Sequence, residues 1–245
     1  MRRCGITVSI ILLSTVSALS QEALEPFRAD EQTQSQVQLE SIDGQLPAVA
    51  QSGPPRRILN VAIGLVKTFE GWDPNVYDDP VGYCTIGFGH LIAKARCGTL
   101  TDYGLGDFSP ELTVARGTEL LIRDTIPARR IVQNLVEVNL TNRQFGALMA
   151  FVYNVGAKNF SKSTMLKHLN KGDYEAAARE FPRWVRAKGV VLNGLVRRRY
   201  CEQNLFRGYG QLRGNGLLDV SKCNAASGVA PTNLQEVDVA TGEVE

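Results

Sequence analysis

Apolar residues at Ile58, Leu59, Ala62, Leu65, Val66 and Phe69 recur at three- and four-residue steps. That spacing predicts an amphipathic helix with one buried face. Glu70 falls on its last turn, and Gly71 follows, where a left-handed glycine closes a helix. Pro74 stops any continuation, and the pattern changes to short extended runs. Val76–Asp79 and Cys84–His90 read as two strands joined by a Pro80-Val81-Gly82 turn. Asp79 then lies at the hairpin turn and Thr85 just beyond it, on the face towards Glu70. Farther along, an apolar helix runs through Ala150-Phe151-Val152 and ends at Tyr153 and Asn154.

The two ends of the chain have other patterns. Residues 1–20 join a basic start (Arg2, Arg3) to an apolar run and a small-residue exit at Ala18-Leu19-Ser20, which reads as a signal peptide. The run is shorter than the roughly 20 residues that span a bilayer, so stable membrane insertion is not expected after cleavage. An uncleaved or releasable anchor is the alternative. Residues 21–56 are rich in Gln, Glu, Ser, Ala and Pro without helical or strand periodicity, and read as a disordered linker. Only the middle of the chain has the pattern of a core, and a Gly-, Asn- and Ser-rich tail, expected to be partly tied down by a disulfide, fills 209–245. The bounds 57–208 for the body come from the family resemblance given below.

Charge follows the same division. The formal net charge of +2 hides a middle section, 51–224, with 24 Lys and Arg against 15 Asp and Glu. Residues 21–50 carry six acids and one Arg, and residues 225–245 four acids and no base. A basic body suits an anionic polymer. No aromatic-interleaved basic stripe accompanies it, so a nucleic-acid partner is not expected. Beyond Cys4, which would leave with the signal, four cysteines remain: Cys84, Cys97, Cys201 and Cys223. An even count in an exported chain favours disulfides, with three possible connectivities. Proximity favours Cys84–Cys97 and Cys201–Cys223. A zinc site is the alternative, but the spacing is poor and the chain has only two His, so no metal is expected.

The chemistry lies in EGWDPNVYDDPVGYCTIGFGH, residues 70–90. Glycoside hydrolysis needs two carboxyl groups flanking the scissile bond, one to protonate the leaving oxygen and one to handle water or the cation. Glu70 and Asp79 are such a pair, with Thr85 as a nearby hydroxyl. The negative end of the helix dipole, together with partial burial, would favour a protonated Glu70, as a general acid requires. Taken singly, each acid would read as an ordinary surface charge.

Glu70, Asp79 and Thr85, followed by Gly87-Phe88-Gly89-His90, resemble the active-site signature of the phage-type lysozymes, glycoside hydrolase family 24. The resemblance continues through residues 140–160, 163–184 and 189–206, the last carrying the family's Gly-Leu-x-x-Arg-Arg helix. It stops at both ends, and most members lack cysteines at positions 97 and 223. It implies an α+β lysozyme-like fold, with a small β-hairpin lobe, a larger helical lobe and a cleft between them. It also implies an exported, monomeric, cofactor-free muramidase acting on peptidoglycan. Glu70 would be the general acid; Asp79 would stabilise the cation or activate water; Thr85 would position that water, giving inversion.

Leu91, Tyr153 and Asn154 match cleft positions of the family, although an aromatic in such a helix is more often core. His90 reads as a structural partner of Asp124, the pairing the family makes, rather than a general base. His168 reads as surface. Arg197, Arg198 and Arg199 cannot all point one way at 100° per residue. Arg198 is the first choice to turn inward to Glu70, as the family's terminal-helix Arg does. A lytic transglycosylase needs only one acid, so Asp79 and Thr85 argue against it. A non-catalytic peptidoglycan-binding accessory would be natural had either acid been replaced.

Overall fold

The first periodic segment forms helix α1 (Asn60–Glu70), which buries Ala62, Ile63, Leu65 and Val66. The computed structural model describes residues 53–100, 108, 111–223, 233–235 and 237. All belong to Val49–Glu245, one of the two units into which the chain divides. The expected signal segment and nearly all of the expected linker lie outside the described residues. Gly71 ends α1 with φ 81° and ψ −175°. The positive φ needs a glycine, but the extended ψ sends the chain straight into a strand rather than through a left-handed helical cap.

Three antiparallel strands follow: β1 (Asp73–Asp78), β2 (Cys84–Gly87) and β3 (His90–Ala93), in that spatial order. The single strand expected over Cys84–His90 is therefore two. Gly87 and Gly89 take φ 70° and 86°, and the chain reverses between them. The reversal turns Phe88 inward, 4% exposed, with its ring 4.6 Å from that of Trp72. Pro74 lies inside β1, where a missing N–H is tolerated because β1 is an edge strand.

The remaining helices are α2 (Val114–Asp124), α3 (Ile126–Leu135), α4 (Asn142–Val155), α5 (Ala157–Ser161), α6 (Thr164–Leu169), α7 (Tyr174–Glu180) and α8 (Asn193–Phe206). Thr141 and Gln144 form a capping box that starts α4. Every residue from Phe145 to Val152 is buried, so α4 is the axis of the helical lobe. Phe151 packs edge-on against Phe160, Phe181 and Trp184. Gly146 lets α1 approach: a Cβ there would sit 2.6 Å from the Ala62 Cβ. A short hairpin, β4 (Arg186–Ala187) and β5 (Val190–Val191), leads into α8.

Contacts made from just outside 57–208 reach the body at both ends. Arg56 donates to the Leu140 carbonyl at 2.9 Å and to Asn142 Oδ1 at 2.8 Å, so the body begins before Arg57. Residues 209–223 fold back onto α1: the Leu218 amide donates to Thr68 Oγ1 at 2.8 Å, and the Leu218 side chain is 1% exposed. Cys201–Cys223 closes this segment onto α8, and Cys84–Cys97 closes the loop after the sheet. Val237, 1% exposed, donates its amide to the Arg186 carbonyl at 2.7 Å. A Cβ on Gly64 would lie 2.7 Å from the Gly216 carbonyl oxygen and 2.3 Å from Leu212 Cδ2. Gly64→Ala should therefore destabilise by about 1–3 kcal/mol. Chemical denaturation would read the loss, and limited proteolysis should cut first in 209–223.

Candidate active site

Glu70 stands where α1 meets the sheet. Arg198 Nη1 donates to its Oε1 at 2.7 Å. Among the described residues no hydrogen bond reaches Oε2, and the side chain is 25% exposed. Asp79 sits one residue past β1. Its Oδ1 accepts the amides of Val81 at 2.9 Å and Tyr83 at 2.8 Å, a local closure that Asp makes well and that fixes the carboxylate to its turn. Its Oδ2 is unbonded among the described residues. Thr85 is 4% exposed, pairs with Tyr77 across the sheet, and donates its hydroxyl to the Tyr83 carbonyl at 3.2 Å.

Among the described residues no hydrogen bond joins Glu70 and Asp79, and the charges of both act on Tyr77. Burial raises the Tyr77 pKa most, followed by the charges of Asp73, Asp79 and Glu70. Tyr153, at the end of α4, is raised strongly, first by burial and then by Glu70 and Asp124, with Arg198 opposing. Both phenols therefore stay neutral. Leu91 is 43% exposed on β3, opposite Thr85 in register. His90 Nδ1 is 2.8 Å from Asp124 Oδ2, a contact that ties β3 to α2 and is an ion pair only when the imidazole is protonated. His168 is half-buried on α6, away from these groups.

Of the arginine run, Arg197 is exposed, whereas Arg198 and Arg199 are both buried. Arg199 donates to Asn154 Oδ1, to Glu202 Oε2 and to the Trp184 carbonyl. Arg198 donates to Glu202 Oε1 at 3.0 Å as well as to Glu70. Burial alone would pull the Arg198 pKa down, but the charges and hydrogen bonds of Glu70 and Glu202 outweigh it and the pKa rises. Burial lowers that of Arg199, and Glu202 restores only part. Glu202 and Tyr77 are the members that sequence reasoning missed. Glu202 lies four and three residues after the two arginines, the spacing at which helix neighbours meet, so a signal was present.

Among the described residues no group of three or more His, Cys, Asp or Glu is placed to hold a metal ion, and no helix is long and apolar enough to cross a membrane. An open groove of about 520 Å³, lined by Arg143, Tyr209 and Lys222 among others, contains none of the carboxyls described above. What the junction offers chemically is two carboxyl groups, each anchored through one oxygen, the other being unbonded among the described residues. One rests on a helix end and one on a strand turn, with a hydroxyl on the next strand. Such a pair can deliver a proton and handle a water.

The family model described as phage lysozyme matches residues 67–202. The endolysin of Bacillus phage PZA is 38% identical over 154 residues, covering 61% of this chain and 55% of the endolysin. The chain thus spans about half the length of that curated relative. The endolysin of Acyrthosiphon pisum secondary endosymbiont phage 1 is 32% identical over 146 residues, 58% of this chain and 92% of its own. Among solved structures, the muramidase domain of SpmX from Asticaccaulis excentricus aligns with TM-score 0.52 and 31% identity, over 62% of this chain and 97% of that one.

Proposed function

Because the chain belongs to the phage lysozyme family, we propose that it is an exported muramidase. It hydrolyses the β-1,4 bond between N-acetylmuramic acid and N-acetylglucosamine in peptidoglycan, with inversion. The observation that carries this is the pair of anchored carboxyls, Glu70 held on its helix end by Arg198 and Asp79 held on its turn by two backbone amides. Glu70 protonates the glycosidic oxygen. Asp79 stabilises the oxocarbenium charge or takes the proton of the attacking water, and Thr85 positions that water. Arg198 orients Glu70; Asn154, Tyr153 and Leu91 line the sugar-binding face; the His90–Asp124 contact braces β3.

Incubating the purified protein with peptidoglycan and analysing product ends by mass spectrometry tests this reading. Reducing muramic acid ends are expected. A 1,6-anhydro end would make it a transglycosylase, and retention on peptidoglycan without cleavage would make it a binding accessory.

The organisation we propose is a cleaved export signal in 1–20, a spacer up to about residue 52, and a monomeric catalytic body that includes 209–223. Deleting 21–52 should leave turnover on soluble fragments within about twofold of wild type, because no site residue lies there. Since 21–50 hold six acids and one base, the deletion should also strengthen pelleting with the anionic wall polymer at low salt. Added salt should erase that gain.

A further inference from the structure

The interior of α8 holds an arrangement that packing alone does not require. Arg199 and Glu202 are fully buried, and Arg198 is 3% exposed. Two guanidinium ions against one carboxylate leave a positive charge over, and an unbalanced buried charge is strongly unfavourable. Neutrality is completed by Glu70, which Arg198 reaches at 2.7 Å. At rest the four groups form a balanced quartet. A general acid, however, must begin the reaction protonated. Protonating Glu70 withdraws one negative charge and leaves two cations facing one anion.

Glu202 sets how unfavourable that state is. It shares the Arg198 guanidinium with Glu70, holding Nε while Glu70 holds Nη1, and it also grips Arg199. The charges acting on Arg199 are those of Glu202, Arg198 and Glu70. Without Glu202, Glu70 would answer alone to two buried cations and would hold its ionised form far more firmly. The other groups near Glu70 do not replace it. Tyr77 and Asp79 on the sheet side and Tyr153 on α4 are neutral or negative.

We propose that Glu202 is a positioning residue of the active site, a buried counter-charge that fixes both arginines and keeps Glu70 able to carry its proton at working pH. The inference rests on the reading of Glu70 as the general acid.

The test compares full-length wild type, Glu202→Gln, Arg199→Met and the double variant. Two readouts are used: the pH profile of kcat/KM, and titration of the Glu70 carboxyl by NMR with carboxyl-labelled glutamate. Removing one negative charge should move the Glu70 midpoint and the alkaline limb of the profile to lower pH, by roughly one to two pH units. Above that limb, turnover should fall about 10- to 100-fold, because the protonated fraction falls by that factor. Arg199→Met should move the midpoint the other way, and the double variant should return it close to wild type, one charge of each sign having gone.

A Glu202→Gln protein that melts earlier but keeps the wild-type Glu70 midpoint and alkaline limb would overturn the proposal and leave Glu202 a purely structural group. If that variant does not fold, Arg199→Met against the double variant decides in the same way: losing Glu202 must lower the midpoint. Should wild type prove unable to cleave peptidoglycan, the functional reading fails by itself, and the NMR titration still reports whether Glu202 sets the protonation of Glu70.

Discussion

Glu70→Gln is expected to abolish hydrolysis while the protein still folds and still pellets with peptidoglycan. Gln keeps the shape and can still accept a hydrogen bond from Arg198, but it has no acidic proton to give to the leaving oxygen. Loss of a general acid lowers rates by about 10²–10⁴-fold, and by more where it acts together with a second group. The loss should appear in kcat rather than KM, because the proton is transferred only at the transition state. Stability should fall as well, by about 3 kcal/mol, since two buried guanidinium ions would then face the Glu202 carboxylate alone. Turbidity clearing and thermal melts on the same preparation separate the two effects. Clearing at the wild-type rate would remove Glu70 from the reaction.

Replacing both Cys84 and Cys97 by alanine should lower stability by about 3 kcal/mol, the chain-entropy value for a closed loop of this size. Denaturant unfolding with and without reductant would measure it. Activity should fall as well, because the bond is built into the site. Cys84 is fully buried and precedes Thr85, and the Cys97 amide donates to Asp78 Oδ1 at 2.7 Å, next to Asp79. Without the bond the turn that fixes Asp79 loses its outer support. Cys201–Cys223 is the control. It ties 209–223 to α8, so its removal should reduce stability with little change in turnover near 25 °C. Equal losses of activity from both would mean that the first bond has no particular hold on the site.

The elements that sequence made legible are those whose apolar period is strong. Ile58 to Phe69 showed α1 and hence placed Glu70 at a helix end. Asp79 was legible because Pro80 and Gly82 mark a turn beside it. The Phe88–Gly89 reversal was not, since Cys84 to His90 carries enough β-forming residues to read as one strand and only the backbone angles of Gly87 and Gly89 break it. Lys188-Gly189 hid a second tight turn, with φ 50° and 77°, in a segment without alternation. Glu202 escaped because burial of a carboxylate depends on which cations share its helix face, and a run of three arginines does not say which two face inward. The packing of 209–223 was illegible for a different reason. Its composition is that of a loop, and its attachment rests on Leu212, Leu218 and the absence of a Cβ at Gly64, contacts with a distant helix that leave no periodic trace.

The Glu70–Arg198 pair joins residues 128 positions apart in the chain, and the Leu218–Thr68 contact joins residues 150 apart. Helix α1 is synthesised well before α8, and the guanidinium that orders its C-terminal end follows 128 residues later. Until α8 has been produced, Glu70 has no cation to orient it and α1 lacks the cover that 209–223 provides. Such long loops close late and slow the final folding step. A nascent chain that stops short of α8 therefore holds Glu70 and the Asp79 turn in sequence but not in their ordered arrangement.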